Sequence, residues 1–314
     1  MKLVVQIPCL NEEATLPLVL ESVPKKIPGI DEIEILIIDD GSTDDTVKVA
    51  RDHNVKQFVR HARNQGLGRS FHDGVMRALE LGADIVVNTD GDNQYPQDRI
   101  GDLVQPILKE QADIVIADRQ THKIAHFSWF KKLLQRLGSA VVNKAAGTRL
   151  PDAASGFRAY SRESLIRLNT ITRFSYCTET IIQAGNKGLH IESVEVDTNP
   201  KLRDSRLFKN TWEHVLKSGV TIIRAFIMYK PYMLFGWAAL ILFVLGLIPF
   251  ARFIIFSLRD GSTAGHIQSL LVGSLLMITA ILCVALNVIA DLIRINRILI
   301  EDNLEQTKRQ RFGS

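Results

Sequence analysis

Two short acidic turns carry the clearest chemistry in this chain. Asp39-Asp40 precedes Gly41-Ser42, and Asp90-Gly91-Asp92 is followed two residues on by Gln94. Carboxylates at i and i+2 on a loop, with an amide oxygen beside them, form a hard-oxygen set that can hold a divalent cation, and such a cation neutralises a diphosphate. Acid-glycine turns also end strands and cap helices with no ligand involved. Two of them at corresponding positions of one alternating domain shift the balance toward a site for a nucleotide and a metal. The eight histidines show no ligand spacing and read as structural, and Cys9, Cys177 and Cys283 show no pairing or metal pattern, which fits a reduced compartment.

The elements that must position these acids alternate. Lys2–Pro8 and Ile33–Ile38 are apolar runs that end at a Pro and at the first acidic turn, as buried strands do. Lys56–Arg60, Asp84–Asn88 and Asp113–Ala117 are further strands. Between them lie helical stretches: one capped by Asn11 and running to Ser22, one capped by Ser42 or Thr43 and running to about His53, then Gly66–Leu81 and Gln97–Lys109. Phe71, Val75, Ala78 and Leu79 share one face of the third. This order predicts an α/β fold with a mostly parallel sheet and right-handed crossovers. Ligands of such sheets bind beyond the carboxyl ends of the strands, where Asp39, Asp40, Asp90 and Asp92 all fall.

The C-terminal part is built differently. Met233–Phe256 and Ile267–Ala290 are apolar runs of 24 residues each, and about 20 suffice to cross a bilayer. Neither has the polar stripe of a helix packed in a soluble core. They predict a transmembrane hairpin. Lys/Arg residues are concentrated at its flanks, with seven in 201–230 and five after the second run, which places both flanks in the cytoplasm. The opening MKLVVQIP reads as a strand and not as a leader peptide. The whole-chain figures conceal this division: 38 Lys+Arg against 34 Asp+Glu in 314 residues, a net charge of +4, and a mean hydropathy of +0.08. Residues 1–200 hold 24 basic and 27 acidic side chains, so the basic excess belongs to a collar suited to anionic lipid, and no nucleic-acid partner is expected.

Seven motifs follow one another along the chain: IPCLNEE at 7–13, IIDDGSTDDT at 37–46, RNQGLG at 63–68, TDGDNQYP at 89–96, ADR at 117–119, DAASGFRAYSRE at 152–163 and KLRDSRL at 201–207. In their order and spacing they resemble the family 2 glycosyltransferases of GT-A fold, and most closely the polyprenyl-phosphate glycosyltransferases. Paired C-terminal spans match a common membrane layout of that group. The departures are small: Leu10 stands where many members have Tyr, Leu67 and Arg69 flank Gly68 where Lys-Gly-Ala is more common, and the Gln-x-x-Arg-Trp motif of processive members is absent.

The resemblance implies roles. Pro8, Glu12, Asp39 and Asp40 would line the nucleotide pocket, together with Asp90. Asp90, Asp92 and Gln94 would hold Mg²⁺ or Mn²⁺ against the diphosphate. Arg119 and Arg158 would sit near phosphates, and Asp152 would be either a general base or a carboxylate paired with an arginine. Arg203 and Ser205 would belong to a loop closing over the donor, and Glu179 would orient the acceptor or cap its own helix. The implied reaction is inverting transfer of one sugar from a UDP- or GDP-sugar to a polyprenyl phosphate, and the alternative acceptor is another membrane molecule such as diacylglycerol or a glycan precursor. The expected layout is a catalytic domain over 1–206, juxtamembrane amphipathic helices over 207–231, the two spans within 232–290 and a cytoplasmic tail over 291–314. A homo-oligomer in a prokaryotic inner membrane is implied as well. Phe127–Leu137 could lie on the membrane surface or pack on the domain.

Overall fold

The structure is a computed structural model. It describes residues 1–120, 129–170, 176–200, 231–260 and 267–313, with the backbone alone for 129–135 and 259–260. Arg203, Ser205, the juxtamembrane segment up to residue 230 and the start of the 127–137 stretch lie outside the described residues. The chain forms two units, one of residues 1–218 with 301–314 and one of residues 219–300.

In the first unit, β1 (Lys2–Cys9) pairs in parallel with β2 (Glu32–Asp39) and with β4 (Ile85–Asn88), and β2 pairs in parallel with β3 (Gln57–Arg60). Beyond β4 come β6 (Arg158–Ser161), β5 (Ile114–Asp118) and β7 (Ile191–Glu195), giving the order β3-β2-β1-β4-β6-β5-β7. Only β6 runs antiparallel to its neighbours, in register Asn88 with Arg158. Because of that reversal β6 begins at the end of the sheet where β4 finishes.

Helices α1 (Leu16–Ser22), α2 (Thr46–Asp52), α3 (Leu67–Glu80) and α4 (Ile100–Leu108) follow successive strands. Helices α5 (Trp129–Ala146), α6 (Arg162–Arg167) and α7 (Tyr176–Asn186) belong to the same unit. One core cluster joins Leu3, Val5 and Ile7 of β1 to Leu16 and Val19 of α1 and to Leu103 and Val104 of α4. The apolar face expected on α3 is buried as Phe71, Val75, Ala78 and Leu79.

Two helices start later than the sequence predicts. Asn11 is not the cap of α1: it adopts φ 57°, and its side-chain oxygen accepts from Thr43 N at 2.8 Å. Ser42 likewise leaves α2 uncapped, since its hydroxyl accepts from Asn11 N at 2.9 Å. The loops after β1 and β2 are bonded to each other, and α1 and α2 begin only at Leu16 and Thr46.

The second unit contains α8 (Trp237–Asp260), preceded by a π-helical turn at Tyr232–Gly236, and the part of α9 (Ile267–Phe312) before Glu301. Both helices are long and apolar enough to cross a membrane, and only 11% of the most apolar window of each is buried, unlike the core helix of a soluble protein. They approach closely at two glycines: a Cβ on Gly273 would lie 2.8 Å from the Phe250 ring and 3.2 Å from Gly246 O.

Candidate active site

The carboxyl ends of β1, β2, β3, β4 and β5 meet along one rim, and the acidic turns stand on it. Asp39 ends β2 and is 1% exposed; its Oδ1 accepts from Ser42 N at 2.9 Å, and Arg60 Nε lies 3.5 Å from Oδ2. Asp40, also buried, accepts from Gln65 N and His61 Nδ1 on Oδ1 and from Gly66 N on Oδ2. Pro8 is buried in β1 opposite Ile38. Glu12 is buried as well and takes the Thr15 hydroxyl at 2.8 Å; that hydroxyl also reaches Gly91 O, which ties this loop to the second acidic turn.

In the second turn Asp90 and Asp92 are half-buried. Asp92 accepts from Gln94 N at 3.1 Å and from Gln94 Nε2 at 2.6 Å, so these two of the three expected donors are bonded to each other within the loop. Asn199 binds the loop from outside: its N–H donates to Gln94 O and its Nδ2 to Asn93 O. The oxygen chemistry of Asp90, Asp92 and Gln94 fits a Mg²⁺ or Mn²⁺ ion. Among the described residues no group of three or more His, Cys, Asp or Glu could hold a metal unaided, so an ion here would draw the rest of its shell from a ligand or from water.

Arg119 directly follows β5 and grips Asp152 with two hydrogen bonds, Nε to Oδ2 at 2.7 Å and Nη2 to Oδ1 at 3.1 Å. Asp152 is 1% exposed at its side chain, whereas Arg119 keeps 19% at the rim. Burial by itself pushes the Asp152 carboxyl up, but the Arg119 charge, its hydrogen bonds and the Ala154 amide outweigh it and hold the group below the ordinary carboxylate value. Of the two roles open to Asp152, the geometry shows the arginine-paired carboxylate.

Arg158, expected near phosphates, lies under the rim. It is 0% exposed, and its guanidinium donates to Ala153 O, Ser155 O, Cys177 O and Thr180 Oγ1. The reversed β6 starts beneath the 152–157 loop, and the side chain fills the space under that loop. Glu179 is buried within α7.

Several supports escaped the sequence reading. Gly156 N donates to Tyr95 Oη at 3.0 Å, while Gly156 O accepts from Asn88 Nδ2 and from Tyr176 Oη. Burial raises the Tyr95 hydroxyl to about 12, so it stays a neutral partner. A Cβ on Gly156 would lie 3.3 Å from Asp90 Oδ2, so the loop carrying Asp152 abuts the acidic turn. Asn88 ends β4 and His61 follows β3, so position at a strand end was the signal available in the sequence for both.

Comparison with known proteins agrees with this geometry. The family profile described as "Glycosyl transferase family 2" matches residues 4–168. A UDP-N-acetylglucosamine–dolichyl-phosphate N-acetylglucosaminyltransferase from Methanococcus voltae is 29% identical over 217 residues, 61% of this chain and 83% of that protein. An undecaprenyl-phosphate mannosyltransferase from Micrococcus luteus is 29% identical over 172 residues, 52% of this chain and 68% of that protein. Among solved structures, glucosyl-3-phosphoglycerate synthase from Mycobacterium tuberculosis with Mn²⁺, UDP and glucosyl-3-phosphoglycerate superposes with a TM-score of 0.56 at 24% identity, covering 72% of this chain and 78% of that one. That likeness bears out the expected fold.

Proposed function

The chain belongs to glycosyl transferase family 2, and from that premise we propose that it moves a single sugar from a nucleotide-sugar to a polyprenyl phosphate at the cytoplasmic face of a membrane. The observation that carries the reading is one chain holding an acidic rim at the strand ends and two apolar helices that are hardly buried. Relatives named for transfer to dolichyl and undecaprenyl phosphate support the acceptor class. Flanking basic residues support a cytoplasmic catalytic domain over 1–206, a juxtamembrane segment over 207–231, spans within 232–290 and a cytoplasmic tail from 291.

The nucleoside rests in the pocket of Pro8, Glu12, Asp39 and Asp40. Asp90, Asp92 and Gln94 hold the Mg²⁺ or Mn²⁺ ion, which when bound supplies positive charge against the departing diphosphate. Arg119 presents the exposed part of its guanidinium to phosphate oxygens, and Asp152 fixes its direction. Arg203 and Ser205 close over the donor, and Glu179 supports the acceptor side. The attacking phosphate monoester has a second pKa near 6, so it arrives ionised and needs no obligatory base. A single displacement from the face opposite the leaving group inverts the anomeric centre.

The direct test of the metal assignment is Asp92→Asn. Turnover in Mg²⁺ or Mn²⁺ is expected to fall at least about a hundredfold, the order lost with one transition-state charge partner, with the far-ultraviolet circular dichroism unchanged. Retained activity would remove the ion from this turn.

A further inference from the structure

His61 stands on the same rim with its side chain 5% exposed. Nδ1 lies 2.7 Å from Asp40 Oδ1, and Nε2 lies 3.2 Å from Asp73 Oδ2 on α3. Arg69 Nε donates to the same Asp73 oxygen at 2.8 Å, and His61 N donates to Asp39 O at 2.9 Å. The ring therefore bridges the end of β2 to α3 through two carboxylates. The other partners of Asp40 are the backbone amides of Gln65 and Gly66, at 2.8 and 2.9 Å. These amides belong to the 63–66 segment that leads into α3. That segment presses on the first acidic turn: Gly41 has φ +83°, and a Cβ on it would lie 2.8 Å from Arg63 Cα and carbonyl C.

We infer that His61 is a positioning residue for the nucleotide: by holding Asp40 against Asp73 it fixes the 63–66 segment on the 39–41 turn, and so sets the wall on which the nucleoside rests. It touches no substrate atom, and its effect is confined to donor binding. The inference rests on the proposal that the Asp39-Asp40 turn lines the nucleoside pocket. A purely structural histidine is the alternative, and α3 separates the two. That helix is anchored by Phe71, Val75, Ala78 and Leu79, all buried. Loss of the ring therefore leaves the helix in place and frees the turn.

The test uses the full chain in detergent, with UDP and GDP binding measured by calorimetry and steady-state kinetics for the nucleotide that binds. His61→Ala is expected to weaken nucleotide binding and raise the donor KM about tenfold, with kcat and the acceptor KM within about twofold of wild type, the pattern of lost ground-state binding. His61→Gln, whose amide can still donate to one carboxylate, is expected to recover part of the loss. An unchanged donor KM and nucleotide affinity in a folded His61→Ala would overturn the inference, as would a fall in kcat alone. Should His61→Ala fail to fold, Asp73→Asn serves: its side chain is 21% exposed. A donor KM raised about threefold supports the inference, and an unchanged one overturns it. A wild-type chain that binds neither nucleotide would overturn the functional reading, and this inference with it, a result distinct from selective loss in the variants.

Discussion

Asp152 and Arg119 show how a side chain's surroundings decide its chemistry. Spacing left Asp152 open as a base, and only the fold brings the guanidinium after β5 onto both of its oxygens, at 2.7 and 3.1 Å. Breaking a buried pair leaves an uncompensated charge, at a cost of roughly 3–5 kcal/mol. Asp152→Asn is therefore expected to lower stability by about that much in denaturant titrations at neutral pH. The pH dependence has a definite sign. The folded carboxyl sits below its ordinary value of about 3.9, so its contribution is present above that value and is lost as pH falls through the lowered one. The gap between wild type and Asp152→Asn should be flat from pH 8 to about 5 and narrow below about 4; a gap largest in acid would contradict the assignment. Arg158 carries the opposite lesson: its motif is legible in sequence, but its burial under the 152–157 loop depends on β6 running antiparallel, which no periodicity reveals.

At the scale of elements, the strand ends were legible, because apolar runs stop at Asp39 and Asn88. The starts of α1 and α2 were not, because Asn11 and Ser42 bond across two loops instead of capping their own helices. Helix α9 exceeds expectation in another way. Its 46 residues make about 69 Å of helix, more than twice the hydrocarbon thickness of a bilayer. Its last turns belong to the catalytic unit. Lys308 Nζ donates to Leu165 O and Leu168 O, Arg309 pairs with Glu163, Arg311 with Glu80, and Phe312 is 8% exposed. The exposed ion pairs contribute little; the buried Phe312 ring contributes about 2 kcal/mol. Deleting residues 301–314 should lower the melting temperature by roughly 4–8 °C, read by differential scanning fluorimetry in detergent. An unchanged midpoint would mean that this end of α9 contributes no stability.

Across the whole molecule, the near-neutral average divides into an acidic-leaning catalytic part and an apolar hairpin with basic flanks. That division was readable directly, because Met233–Phe256 and Ile267–Ala290 are long, strongly apolar runs with Arg252 as their one charge. Support at the rim was less readable: the Gly156 contacts and the His61 bridge join residues 12 to 68 positions apart in sequence. The central claim, transfer of one sugar to a lipid phosphate, is tested most directly by giving the purified chain radiolabelled UDP- and GDP-sugars, Mg²⁺ or Mn²⁺, and in parallel a short polyprenyl phosphate, diacylglycerol or 3-phosphoglycerate. A single-sugar product on the polyprenyl phosphate, of inverted anomeric configuration, is the predicted result. Product on diacylglycerol or 3-phosphoglycerate, with none on the polyprenyl phosphate under any donor, would contradict it.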